Sequence, residues 1–263
     1  MMAERDAEED KLRLFIETEI ICRGKSRVFS IDYQGRRIFV KRAERVRHKA
    51  WLRFSRALCV RLGLFMLQPG ADPDGIKAVR FEAGRLRRLE KCGLPVPVVC
   101  ASGADWLAME NAGKKLIKVI RDTETSRQEK EELICKAAEL LASLHAQGIH
   151  HGRPALKDMV YDGERIVLLD FEDGILIRMG RRQRLWRDLL LFLQSVVKET
   201  DPELAEIALA AYRAKHPALA QEAVAHFGSF KGMYLFFKYV LRHMGSDLET
   251  TYQVLGLFHK EEF

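Results

Sequence analysis

The chain has 263 residues, 48% hydrophobic and 31% charged, with a formal net charge of +7. That composition excludes a disordered or collagen-like chain and suffices for one large or two small domains with an apolar core. The excess of positive charge favours anionic partners (nucleic acid, phospholipid head groups, phosphorylated sugars or nucleotides), and no stretch of about 18 apolar residues is present to span a membrane.

The opening MMAERDAEEDKLRL is acidic and lacks the apolar segment of a secretory leader. A strand is expected around LFIETEII. SRVFSIDY alternates apolar and polar residues, and a QGRR turn and the apolar run IFVKR follow. This pattern predicts a hairpin of residues 26–33 with 37–42. Residues 45–67 change character. Trp51, Phe54, Leu58, Leu62 and Phe65 recur at spacings of three and four, while Arg45, Lys49, Arg53 and Arg56 occupy another face. That is a basic amphipathic helix, ended by PGADPDG. A helix is expected over about 77–92, then an extended GLPVPVV and a strand in DWLAMENAG.

From about residue 127 the pattern turns helical. RQEKEELICKAAELLASLHAQG places Leu133, Ala137, Leu140, Leu141 and Leu144 on one face. MVYD and RIVLLDF are short strands around an Asp162-Gly163 turn. Helices are expected over 184–197, 202–215, 217–227 and 229–244. There is no internal repeat or low-complexity linker. Strands first and helices later predict an α+β protein of two lobes, divided near residue 112.

The five cysteines (Cys22, Cys59, Cys92, Cys100 and Cys135) are odd in number and show no CxxC or Cys/His ligand spacing. They indicate a reducing compartment rather than a disulfide framework or zinc site, so a cytoplasmic location is expected. With no ribonucleoprotein motif or zinc finger, nucleic acid is not the favoured partner.

A two-lobed phosphotransferase needs a hairpin over the phosphates, a lysine to neutralise them and an acid to hold that lysine. It also needs carboxylates for magnesium and, in general, a base near the acceptor hydroxyl. In chain order, Gly24 and Lys25 open the first hairpin and are either a phosphate-approaching turn or an ordinary one. Lys41 ends the next strand, as a solvated edge residue or as the phosphate lysine. Glu82, among arginines on the later helix, is a surface salt-bridge partner or the acid that orients Lys41. Asp170 ends the apolar strand IVLL, where a carboxylate is costly unless paired or bound to metal. Asp158, twelve residues earlier, either caps a turn or joins Asp170 as a hard oxygen ligand for Mg²⁺. His150 and His151 are adjacent but have no matching third ligand, and His151 is read as bonding the loop backbone.

Taken together these residues resemble the protein-kinase-like superfamily, and within it the bacterial lipopolysaccharide core kinases that phosphorylate heptose or Kdo sugars. The resemblance runs from the Gly24–Arg42 hairpin through FEAGRLRRLEKCGLPVPVVCASG to a hinge at Met109 and Glu110. It continues through LASLHAQGIHHG and LLDFEDG to the helix RRQRLWRDLLLFLQS with Asp188. It implies a bilobal fold. Residues 1–112 form a small, mainly antiparallel β lobe with helices, and residues 113–263 a larger helical lobe with the catalytic-like loop. ATP and Mg²⁺ are the implied cofactors. Gly24, Lys25, Lys41, Glu82, Met109 and Glu110 fall on nucleotide-binding positions, and Asp158 and Asp170 on metal positions.

The loop departs from that pattern. In the usual HRD-type loop an Asp stands two positions after the His, and here His151-Gly152-Arg153 puts an arginine there. Arg153 stays protonated and is neither a base nor a metal ligand. Three readings stay open. Asp158 acts on the acceptor or shares metal with Asp170, Arg153 stabilises the transferring phosphate, or nucleotide is bound without turnover. The expected activity is a kinase acting on a sugar hydroxyl of lipopolysaccharide core or a related anionic glycolipid, through Asp158, Arg153 and Asp170. The alternatives are a pseudokinase module, or a kinase for a protein or small metabolite. The 45–67 helix either packs on the small lobe or meets the inner face of the cytoplasmic membrane.

Overall fold

The structure is a computed structural model and describes residues 2–24, 26–43, 57, 61, 75–171, 179–228 and 246–260. Lys25, the basic segment 45–67 (apart from residues 57 and 61) and the expected helix 229–244 lie outside them. The chain divides into two compact units. One is Met1–Gly113 with Val167–Ile177, and the other Lys114–Ile166 with Arg178–Phe263.

The first unit is built on a four-stranded antiparallel sheet in the order β1-β2-β4-β3. Strands β1 (Val28–Tyr33) and β2 (Arg36–Arg42) form the expected hairpin, with Tyr33 opposite Arg36. Its two turn residues, Gln34 and Gly35, both have positive φ, 51° and 75°. That matches the right-handed twist of the flanking strands. Strand β4 (Trp106–Glu110) pairs with β2 on one side and with β3 (Val99–Ser102) on the other.

The strand expected around residues 14–21 is instead part of helix α1 (Met2–Cys22). Leu12, Ile16 and Ile20 recur every four residues, and that face packs on Phe29, Ile31, Ile38, Val40, Ala101, Trp106 and Ala108. A strand would also put these three on one face, but it would put Leu14 there with them, and Leu14 is 69% exposed, as a helical turn of about four residues requires. Burying Leu12 and Ile16 contributes on the order of 2 kcal/mol each, and the i,i+4 pairs Glu9–Arg13 and Glu19–Arg23 add support. Helix α2 (Gly75–Lys91) packs on β3 and β4 and buries Val79, Ala83, Leu86 and Leu89. Arg88 and Lys91 in its last turn suit the negative end of the helix dipole.

The second unit is mainly helical. Strand β5 (Lys114–Lys115) pairs with β6 (Met159–Tyr161) and leads into the short helix α3 (Leu116–Ile120). Ile166 begins strand β7 (Ile166–Leu168), whose other two residues belong to the first unit. The Asp162-Gly163 turn is closed by the Asp162 carboxylate, which accepts from the N–H groups of Glu164 and Arg165 at 2.9 and 2.8 Å. Helix α4 (Arg127–Ala146) begins with a reciprocal cap. Ser126 Oγ accepts from the Glu129 N–H, and the Glu129 carboxylate accepts from the Ser126 N–H. Its apolar face packs on α6 (Pro202–Lys215), which Asp201 caps. Helices α5 (Arg181–Glu199), α7 (Pro217–Gly228) and α8 (Ser246–Lys260) complete the bundle around Leu189, Phe192, Leu209, Phe227 and Phe258. Among the described residues no helix is long and apolar enough to cross a membrane.

Candidate active site

In the first unit, Lys41 on β2 stands between two carboxylates. Its Nζ lies 2.9 Å from Glu82 Oε2 and 2.6 Å from Asp170 Oδ1. Glu82 is 1% exposed on the buried face of α2, so the surface salt-bridge reading of this residue gives way to a buried ion pair. The sequence distances are 41 and 129 residues, and only the fold joins them. Two carboxylates around one ammonium leave a net charge of about −1 if all three are ionised. The side chain of Asp170 is also the most exposed of the three, at 30%. Hard oxygens with excess negative charge suit a hard divalent cation that keeps part of its shell as water and phosphate oxygens.

Asp170 itself has φ +63°, a left-handed conformation that non-glycine residues seldom adopt. The next residue, Phe171, is fully buried beneath the Arg85 guanidinium, whose carbon lies 5.1 Å from the ring centroid. Helix α2 therefore holds Lys41 through Glu82 and holds the Asp170-Phe171 pair through Arg85, one turn further on. The Leu168 N–H donates to the Pro95 carbonyl at 3.0 Å and ties the returning segment into the same unit.

In the second unit, helix α5 is the template for the loop after α4. The buried carboxylate of Asp188 accepts from the backbone N–H groups of His151 and Gly152, the latter at 3.0 Å. Arg187, its neighbour, donates to the Gly152 carbonyl at 2.6 Å. One turn pair further along, Ser195 Oγ accepts from the Leu156 N–H at 2.9 Å. Burial works against ionisation of Asp188. The hydrogen bond from His145, with the nearby imidazoles of His151 and His150, outweighs it and holds the carboxyl below its usual range. His151 is fully buried, and its Nδ1 accepts from the Arg153 N–H at 3.4 Å.

That backbone clamp leaves the Arg153 side chain 58% exposed, with Nη2 4.0 Å from Asp158 Oδ2. Asp158 ends a short 3₁₀ turn (Leu156–Asp158), and its side chain is 11% exposed. Among the described residues no three His, Cys, Asp or Glu side chains come together to hold a metal. A closed structural zinc site does not fit that donor set, whereas magnesium held by one or two carboxylates and substrate phosphates does.

Residues 25–227 match the phosphotransferase enzyme family APH. The chain belongs to this family. The APH phosphotransferases lie within the protein-kinase-like superfamily, so the broader resemblance holds, while the restriction to lipopolysaccharide core kinases has no counterpart in the match. The chain is 26% identical over 195 residues to an uncharacterized protein of Haemophilus influenzae, covering 73% of this chain and 72% of that one. It is 29% identical over 160 residues to a probable bifunctional tRNA threonylcarbamoyladenosine biosynthesis protein of Methanoculleus marisnigri. That match covers 59% of this chain and 28% of the relative. Among solved structures, an aminoglycoside-3'-phosphotransferase of type VIII aligns over 88% of each chain at 17% identity, with a TM-score of 0.47.

Within this APH phosphotransferase chain the expected site residues fall into groups. Lys41, Glu82 and Asp170 meet in the first unit. Arg153 and Asp158 meet in the second. Gly24 has φ +60° in the turn after α1, and its carbonyl accepts from the Arg42 guanidinium. Met109 and Glu110 end β4, where Met109 pairs with Phe39 and Glu110 with Ile38, on the strand that carries Lys41. Glu110 also accepts from Arg36 at 3.2 Å. The anchoring role of Asp188, and the parts of Arg187, Arg85 and His145, are additions from the structure. One signal did point to Asp188. It is a lone acid between Leu185, Leu189 and Phe192 on a buried helix face, a position that a carboxylate holds only with partners.

Proposed function

We propose that this phosphotransferase moves the terminal phosphoryl group of ATP to a sugar hydroxyl of lipopolysaccharide core or a related anionic glycolipid. The observation that carries the nucleotide half is Lys41 between Glu82 at 2.9 Å and Asp170 at 2.6 Å. In this reading Lys41 holds the phosphates, Glu82 keeps its ammonium aimed, and Gly24, Lys25, Met109 and Glu110 line the nucleotide. Asp170 and Asp158 hold magnesium, which when bound neutralises charge on the phosphate oxygens. Arg153 directs a permanent positive charge at the phosphate or at the acceptor's own anionic groups. Phosphoryl transfer through a loose transition state depends more on positioning and charge than on a strong base, so an arginine in the loop is compatible with turnover. Where Asp158 does not share the metal, its carboxylate is the loop group that can accept the hydroxyl proton.

The acceptor half is supported by the net charge of +7, which favours an anionic substrate. Peripheral contact with the inner face of the cytoplasmic membrane through residues 45–67 belongs to the same proposal. Flotation with anionic liposomes tests it, and no flotation sinks that part.

A thermal-shift titration with ATP and Mg²⁺, run beside Asp170→Ala, tests the nucleotide half. A ligand that binds only the folded state raises its apparent stability. Wild type shifts with ATP–Mg²⁺ and Asp170→Ala loses the magnesium-dependent part. Transfer of labelled phosphate is then measured on lipopolysaccharide core, a protein mixture and free sugars. Transfer to protein or free sugar but not to core overturns the acceptor assignment. A second reading, a nucleotide-binding pseudokinase module, is favoured by Arg153 at the usual aspartate position. Nucleotide-dependent stabilisation with no transfer to any acceptor is its expected outcome, and one phosphorylated acceptor removes it.

A further inference from the structure

Behind the loop, within the second unit, lies a short buried chain of polar groups. Tyr212 on α6 is fully buried, and its hydroxyl lies 2.6 Å from His145 Nδ1 on α4. The other ring nitrogen, Nε2, lies 3.4 Å from Asp188 Oδ2. Asp188 in turn accepts the N–H groups of His151 and Gly152. The rings of Tyr212 and His145 meet edge-on with centroids 5.6 Å apart, and the His216 ring lies nearly parallel to that of Tyr212 with centroids 6.5 Å apart.

A buried phenol needs an acceptor for its proton, and a buried carboxylate needs donors. Burial, with the Asp188 charge, pushes the Tyr212 hydroxyl well above the usual tyrosine range, so it keeps that proton. Both needs are met at His145 in one state only, the neutral ring with Nδ1 bare and Nε2 protonated. An imidazolium would donate its Nδ1–H to the phenol oxygen and leave the phenol proton without this acceptor. The Nδ1–H tautomer would do the same and also turn a bare nitrogen toward the carboxylate.

We propose that Tyr212 is a positioning residue that locks His145 in its Nε2–H tautomer, so that Asp188 keeps a third donor and holds the His151–Arg153 loop in one geometry. The catalytic consequence rests on the phosphotransfer reading, and the structural consequence does not.

The test uses the full chain. In wild type at pH 7, long-range ¹H–¹⁵N spectra of His145 show Nε2 protonated and Nδ1 bare. A ring protonated at Nδ1 overturns the proposal without any variant. In Tyr212→Phe, which keeps the ring and removes only the hydroxyl, the His145 nitrogen shifts move toward the other protonation states. The His151 and Gly152 amides exchange about tenfold faster, the size expected for one lost buried hydrogen bond.

A cycle with His145→Gln separates this role from packing. A side-chain amide carries a fixed donor and a fixed acceptor and has no tautomer to lock. Tyr212→Phe therefore costs less than about twofold in exchange in the Gln background. An equal cost in both backgrounds makes Tyr212 a packing residue and overturns the proposal. Where transfer is measurable, Tyr212→Phe lowers kcat about tenfold and leaves the KM for ATP unchanged. A chain that transfers phosphate to nothing, yet passes the spectroscopic and exchange arms, defeats only the phosphotransfer reading.

Discussion

Asp188 accepts from the backbone N–H groups of both His151 and Gly152, so one carboxylate on α5 sets the conformation of a loop more than thirty residues earlier in the chain. Two amide donors aimed at a buried anion form charge-assisted hydrogen bonds, stronger than neutral ones. Arg187 answers from the adjacent position by donating to the Gly152 carbonyl, so the peptide units of this loop are held by groups of both signs.

Replacing Asp188 by Asn turns at least one acceptor into a donor facing donors. Thermal or urea unfolding is expected to show a loss of about 3 kcal/mol at pH 7, the range seen when a buried charge network loses a partner. The pH dependence has a definite sign. The folded carboxyl of Asp188 sits below its usual value. Its contribution is fully present above the unfolded pKa, near 4, and is lost as pH falls through the folded value. Wild type therefore loses stability on acidification below about pH 4, and Asp188→Asn loses less over the same interval. Melting curves from pH 3 to 7 check this, and parallel slopes for the two proteins would contradict it.

Lys41→Met is expected to lower stability by about 3 kcal/mol, because Glu82 is left ionised and 1% exposed without its ammonium partner. Adding Glu82→Leu removes the stranded charge and recovers most of that loss without restoring any ATP-dependent stabilisation. Melting with and without ATP–Mg²⁺ separates the two effects. Recovery of the nucleotide shift in the double variant would show that Lys41 does not touch phosphate.

Gly148 follows the C-cap of α4 with φ +67°, and a Cβ placed there would lie 1.9 Å from Arg181 Nη2. Arg181 donates to the carbonyls of Gly148 and Gln147 at 2.9 and 3.3 Å. Gly148→Ala should cost about 2 kcal/mol, part from the left-handed backbone and part from displacing that guanidinium. Adding Arg181→Ala removes the clash but not the backbone cost. The alanine at 148 should then cost only about 1 kcal/mol relative to Arg181→Ala alone. Denaturation midpoints of the four proteins report the split.

Cys100 should alkylate slowly. Burial, then the Glu110 charge, raises its thiol to about 11. Cys22 and Cys92 are exposed. With iodoacetamide at pH 8, mass spectrometry should find label on Cys22 and Cys92 well before Cys100, because the thiolate is the nucleophile. The Cys100 rate should keep rising with pH until about 11. Early labelling of Cys100 would show an environment more open than its half-buried strand position.

Local chemistry in the sequence accounts for much of what was legible. The hairpin of β1 and β2 follows from alternation around a Gln34-Gly35 turn, and α4 from an apolar repeat behind a Ser126–Glu129 cap. The α+β class follows from strand signals before helix signals. The misreading of residues 14–21 has a physical cause. A short apolar run with interleaved acids fits period two or period four, and only the sheet beneath α1 selects the face that holds Leu12, Ile16 and Ile20.

By itself the sequence determined which groups were available to the chemistry: Lys41 at a strand end, Glu82 on an amphipathic helix, Asp170 after an apolar strand, and Arg153 at the position of the usual acid. These are matters of residue type and short spacing, which local backbone geometry reads directly. Tertiary structure alone decided which of them meet. Lys41 and Glu82, 41 residues apart, meet only when α2 packs on the sheet, and Asp170, 129 residues from Lys41, joins them only because its segment belongs to the first unit. The buried Tyr212–His145–Asp188 chain likewise exists only once α4, α5 and α6 pack together. Polar groups taken out of water must find partners, and the partner each one finds depends on the packing of the whole unit.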